Sequence, residues 1–154
     1  MTTETDRIAR DVLIAAPIER VWELATRPEH LGRWFADAGA EVDLRPGGAL
    51  SLTWREYGTV HGRVEAVEPP HRVAYRWMAQ WGSQAEPTPE NSTLIEFTLT
   101  AEGDGTRVAV VESGFDGLAM DVEQRTAAFA SHTEGWAFEL DELAGYAQGA
   151  AAGR

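Results

Sequence analysis

Two side chains in this sequence have the chemistry to bind a ligand or move a proton inside an apolar setting: Glu112 and His132. Glu112 closes the run Arg107-Val108-Ala109-Val110-Val111-Glu112. A period of two puts it on the face of Val108 and Val110. Pointing inward, its carboxyl would lose water and its pKa would rise. At a strand end on the sheet rim it would instead stay in water. His132 stands between Phe129 and Trp136 at helical spacing. It is either an acid or base near neutral pH or a boundary residue beside an apolar stripe. The two are the one pair here that could serve acid–base chemistry on a shared substrate. Arg63 alternates with His61 and Glu65 and could orient a ligand or pair with Glu65. Val60, Gly62 and Val64 are the more apolar set, so which face looks inward stays open.

Other chemistries lack their residues. The chain of 154 residues has no cysteine, which excludes thiol catalysis, disulfides and thiolate-bound zinc. His30, His61, His71 and His132 lie far apart without paired-ligand spacing, so no metal is expected. Gly47-Gly48 sits in a turn rather than between a strand and a helix, and Ser113-Gly114 lacks the flanks of a nucleophile elbow. No cofactor is implied. The net charge of -12, with all thirteen basic residues arginine, makes nucleic acid and anionic membrane poor partners. The polar opening MTTETDRIARD does not read as a signal peptide, and no apolar run approaches the ~20 residues of a membrane span. A soluble cytoplasmic domain is expected.

Six tryptophans need a place. Trp34, Trp54, Tyr75, Trp77, Phe97, Phe129 and Trp136 either fill a core or wall a pocket.

Their positions follow from the periodicity. Residues 8–14 read as a strand ended by Ala15-Ala16-Pro17. Ile18, Val21, Trp22 and Ala25 recur at helical spacing. Thr26 with Glu29 is a capping-box pattern that opens a second short helix over 28–35. From Ala40 the period becomes two. Leu50, Leu52 and Trp54 form one set, Val73, Tyr75 and Trp77 another, and Ile95, Phe97 and Leu99 a third. Pro46-Gly47-Gly48 and Glu68-Pro69-Pro70 end strands, and Asp104-Gly105 marks a hairpin. Residues 79–92 read as a mobile loop that could gate entry. A last helix over about 121–146 carries Val122, Phe129, Thr133, Trp136, Leu140 and Leu143 on one stripe. These elements predict an α+β fold: a curved antiparallel sheet of about six to seven strands wrapped around a long C-terminal helix, with two short helices after the first strand.

The ordered set resembles the START-like (SRPBCC) superfamily with its helix-grip fold. It is most similar to the bacterial branch related to the C-terminal domain of the activator of heat-shock-protein-90 ATPase. The carrying residues are Ala16-Pro17-Ile18-Glu19-Arg20-Val21-Trp22, Leu31-Gly32-Arg33-Trp34-Phe35, Gly62-Arg63-Val64, Tyr75-Arg76-Trp77, Gly105-Thr106-Arg107-Val108 and Gly135-Trp136 with Leu140 and Leu143. The resemblance spans 8–146 as one domain, between a disordered 1–7 and a frayed 147–154. It implies a cavity between sheet and helix holding a small hydrophobic or aromatic ligand, with Arg63, Glu112 or His132 fixing its orientation. The same family mixes ligand carriers, cyclases and co-chaperone modules, so the alternatives are an enzyme of the cyclase, dehydratase or hydrolase kind using the same cavity, or a protein-binding, co-chaperone-like module. The activator's separate N-terminal domain has no counterpart among these residues. A homodimer through an exposed sheet edge is the protein–protein alternative.

Overall fold

The computed structural model describes residues 6–152. Seven strands follow the chain: β1 (Arg7–Ile14), β2 (Ala40–Val42), β3 (Ala49–Trp54), β4 (Gly58–Glu68), β5 (Arg72–Met78), β6 (Ser92–Glu102) and β7 (Gly105–Ser113). They form one antiparallel sheet in the order β1-β7-β6-β5-β4-β3-β2. From β2 to β7 each strand pairs with the next, as short turns demand. β1 closes the far edge against β7. Helices α1 (Ile18–Thr26) and α2 (Pro28–His30) lie between β1 and β2, and α3 (Val122–Ala152) ends the chain. The expected fold class is observed. Residues 1–5 of the expected disordered leader, and 153–154 of the tail, lie outside the described residues. Arg7 pairs with Ser113 of β7, the Asp6 carbonyl accepts from the Gly114 and Phe115 N–H groups just beyond that strand, and α3 runs on past Tyr146 with Ala147 buried.

The sheet is one-sided, as antiparallel sheets commonly are. Val60, Val64, Val73, Tyr75, Ile95, Phe97, Leu99, Val108 and Val110 are buried on the concave face. Each such side chain contributes about 1.5–3 kcal/mol by leaving water. The convex face takes the arginines. Arg72 pairs with Glu96 at 2.6 Å, Arg63 with Glu65 at 2.8 Å, and Arg107 with Asp11 at 2.8 Å.

α3 presents Trp136, Leu140, Leu143 and Ala147 to the concave face. Its start is a reciprocal box: Gln124 N–H donates to the Asp121 carboxylate at 2.7 Å, and Asp121 N–H to the Gln124 amide at 3.2 Å. The buried stripe begins later than the sequence suggests. Val122 is 66% exposed because the first turns stand clear of the strands.

The short helices close one end of the concave face. The expected capping box at Thr26 does not form, since its hydroxyl donates back to the Trp22 carbonyl at 2.7 Å and leaves α2 without a side-chain cap. α2 continues into a π turn over Leu31–Phe35, closed by Ala36 N–H to the Leu31 carbonyl at 2.8 Å. The wider turn sets Trp34 and Phe35 side by side, their rings stacked at 5.1 Å. The free carbonyls at the end of α1 are met by side chains from elsewhere. Leu24 accepts from the Trp34 indole at 2.7 Å, and Ala25 from the Tyr75 hydroxyl at 2.9 Å. Among the described residues no helix is long and apolar enough to cross a membrane.

Candidate functional site

Glu112 is the buried polar centre of the fold. β7 aims it to the concave side with Val108 and Val110, so the rim alternative is wrong: its side chain has no exposure. Four donors meet its two oxygens. Trp136 Nε1 donates to Oε1 at 2.8 Å. Trp77 Nε1 donates to Oε2 at 2.9 Å, and Thr93 Oγ1 to Oε2 at 2.6 Å. His132 Nδ1 bridges both oxygens at 3.0 and 2.9 Å.

Indole N–H groups can only donate, so Glu112 accepts as the carboxylate, and His132 must present its Nδ1 proton. The expected rise in its pKa is therefore overturned. Burial pushes the carboxyl up, but donation from His132, Thr93 and Trp136 outweighs it and the net shift is downward. His132 moves the other way. Burial lowers it, while the Glu112 charge and hydrogen bond raise it further, so its net shift is upward.

Beside this pair opens a cleft of about 670 Å³ between α3, the π turn and the β3–β4 and β5–β6 connections. Phe35, Trp77 and Trp136 form its floor. Phe35 stacks on Trp136 at 5.3 Å and on Trp77 at 5.7 Å, and Trp77 stacks on Trp136 at 6.1 Å. These rings pack against one another, and the room beside them is a cleft open to solvent between the long helix and the sheet. Trp54 meets Trp77 and Trp81 edge to face at 6.1 and 5.6 Å, and Tyr57 stacks on Trp81 at 5.6 Å. His132, Glu134, Phe138 and Glu139 come from α3, and Asp37 and Glu56 from the loops.

Glu139 is the second unusual carboxyl. Its Oε1 is buried without a hydrogen-bond partner. Burial pushes its pKa up to about 8, the Trp54 indole offsets part of this, and the negative charges of Glu142 and Asp37 add to it.

Of the expected site residues, Trp54, Trp77, His132 and Trp136 line the cleft, and Glu112 holds three of them from behind. The others lie elsewhere. Trp34 and Tyr75 are buried with their polar heads spent on α1, and Phe97 is fully buried core. Phe129 packs edge to face on Phe115 at 5.3 Å. Arg63 faces the convex side, held by Glu65 and Glu86, because Val60 and Val64 take the inner face of β4.

Sequence reasoning missed Asp37, Tyr57, Trp81 and Glu139. Only Glu139 had a signal, three residues after Trp136 and seven after His132 on one helical face. The 79–91 connection that carries Trp81 is pinned by Ala79 N–H to Asn91 and Gly82 N–H to Thr59, both at 2.8 Å. A further groove of about 720 Å³ lies outside, between α1, β2 and Pro69-Pro70, with no buried titratable group. Among the described residues no group of potential metal ligands converges.

The family model described as Activator of Hsp90 ATPase homolog 1-like protein matches residues 15–148. The chain belongs to this family. Its START-like fold recurs in the solved structures that it matches. Protein NE0264 from Nitrosomonas europaea superposes with a TM-score of 0.74 at 22% identity, over 98% of this chain and 99% of that one. CalU16 from Micromonospora echinospora gives 0.67 at 26% identity, over 91% and 73%. The Aha1 dimer from Colwellia psychrerythraea gives 0.71 at 19% identity, over 90% and 92%. No curated protein matches the sequence.

Proposed function

We propose that this AHSA1-like domain binds a small, largely apolar molecule in the aromatic cleft. One observation carries the reading: a continuous wall of aromatic rings stays partly open to water. Tyr57, Trp81 and Phe138 are 59%, 48% and 62% exposed at the cleft mouth. Apolar surface of this kind, gathered in a concavity, is what a ligand covers. The contact residues in this reading are Trp54, Trp77, Trp81, His132 and Trp136. Glu112 acts through them, as a positioning residue.

Native mass spectrometry of protein purified from its own host tests the proposal. A discrete retained mass is expected, and it falls away in Trp81→Ala. No retained mass, together with no tryptophan quenching by a neutral planar probe such as Nile red, refutes it.

The Glu112–His132 pair favours a second reading, an enzyme of the cyclase, dehydratase or hydrolase kind. A buried carboxylate on Nδ1 fixes the imidazole and leaves Nε2 as the atom able to take a proton. Chemical change of the retained molecule that stops in His132→Gln, while binding persists, would establish it. The dimer of the Colwellia relative supports a homodimer as the first assembly to test, by light scattering after size exclusion. The cytoplasm is the compartment we assign, supported by a cysteine-free composition and tested by host-cell fractionation.

A further inference from the structure

We propose that the molecule taken by the cleft is an organic cation, an ammonium carried on an apolar or aromatic body. This deepens the binding reading above and rests on it. Aromatic faces and carboxylates share the cleft. Trp54, Trp81 and Tyr57 stand at its mouth, where ring faces attract a cation by their quadrupole. Asp37, Glu56, Glu134 and Glu139 line the same space, and no arginine does. Arg55 approaches only from outside, donating to the Asp37 carbonyl at 3.3 Å. The positive charge available to His132 is already matched by Glu112.

Glu139 supplies the independent observation. It is an acidic side chain on the cleft wall whose Oε1 is buried with no hydrogen-bond partner among the described residues, the Trp54 indole being the one donor that acts on the carboxyl. An orphaned buried acceptor costs free energy that a donor or cation recovers. An anion would meet the carboxylates of Asp37, Glu56 and Glu134, and a neutral apolar ligand would leave the orphan unserved. A cation answers both, and its positive charge favours release of the Glu139 proton that burial holds on.

Phenyltrimethylammonium, its neutral isostere tert-butylbenzene, and benzoate are the probes, titrated by tryptophan fluorescence into the whole protein. The cation is expected to bind roughly ten-fold tighter than tert-butylbenzene, within the range of a partly desolvated cation–π site. Benzoate is expected not to bind. Added salt should weaken the cation alone. Its affinity should rise from pH 6 to pH 9 as Glu139 gives up its proton. Asp37 and Glu142 face that carboxyl with negative charge, and Trp54 with its indole. His132 loses its own positive charge in the same direction of pH, so Glu139→Gln isolates the Glu139 part. That variant should lose several-fold affinity for the cation, keep tert-butylbenzene binding, and melt no lower than the parent. Equal or tighter binding of tert-butylbenzene overturns the cation proposal and leaves the cleft as an apolar site. Failure of both the cation and tert-butylbenzene to bind overturns the cation proposal and the binding reading together.

Discussion

Replacing Glu112 with glutamine keeps its volume and removes its charge. The amide has one acceptor oxygen where the carboxylate has two, and four donors converge on the position. The least costly orientation keeps oxygen toward Trp136 and His132 and turns the NH₂ toward Trp77 and Thr93. Trp77 retains the Thr93 hydroxyl at 3.0 Å, so no indole is orphaned outright. What is lost is charge assistance. A hydrogen bond to a charged group contributes about 1.5–3 kcal/mol against about 1 for a neutral one. Over these donors, with one bond forfeited, the expected cost is about 3 kcal/mol. At this chain length that is roughly 6–12 °C in Tm.

The cost should depend on pH. The folded pKa of Glu112 is depressed, so its stabilisation is present above the unfolded value of 4.5 and fades as pH falls through the folded one. That of His132 is raised, so its share is full below 6.5 and fades as pH rises through the folded value. Parent and variant should therefore differ most between these two values. Thermal unfolding followed by circular dichroism at pH 5.5 measures the gap. A Glu112→Gln protein within 2 °C of the parent there would refute the claim that Glu112 is a charged hub.

Tyr75→Phe leaves the Ala25 carbonyl buried and unpaired, and should cost about 1–3 kcal/mol in urea unfolding without changing ligand affinity. Gly62→Ala should destabilise by more than about 2 kcal/mol, because a Cβ there falls inside contact distance of the Arg76 carbonyl on β5. Glu139→Gln should raise Tm relative to the parent increasingly from pH 4.5 to about 8. A folded carboxyl pKa above its unfolded value makes ionisation a cost that grows over that window, and scanning calorimetry across it reads the sign.

The strands were legible because their alternation is local. Leu50-Ser51-Leu52 and Val108-Ala109-Val110 each bury the alternate members as the period of two requires, whereas in β5 Ala74 is buried along with Val73 and Tyr75. β4 was ambiguous for a physical reason. Its pairing with β5 shifts between Val64 and Ala66, so the inner set passes from Val64 to Val67. The environment of Glu112 was not legible either. Its face could be read from β7, but its donors come from β5, β6 and α3, and no local pattern encodes their meeting. Trp34 and Tyr75 carry the residue types of a ligand wall. Only the end of α1, brought beneath them by the fold, decides that they serve its carbonyls. The π turn hid because its residues also satisfy an α-helical pattern, and the difference lies in one backbone hydrogen bond.

The ring contacts from Trp81 through Trp54 and Trp77 to Trp136, each between 5.6 and 6.1 Å, have an optical consequence. At such spacing the four indoles behave as coupled transition dipoles. Excitation captured by any one can pass to the rest. A molecule lodged against Trp81 would then darken the whole relay, so intrinsic fluorescence would read occupancy of the cleft without a label.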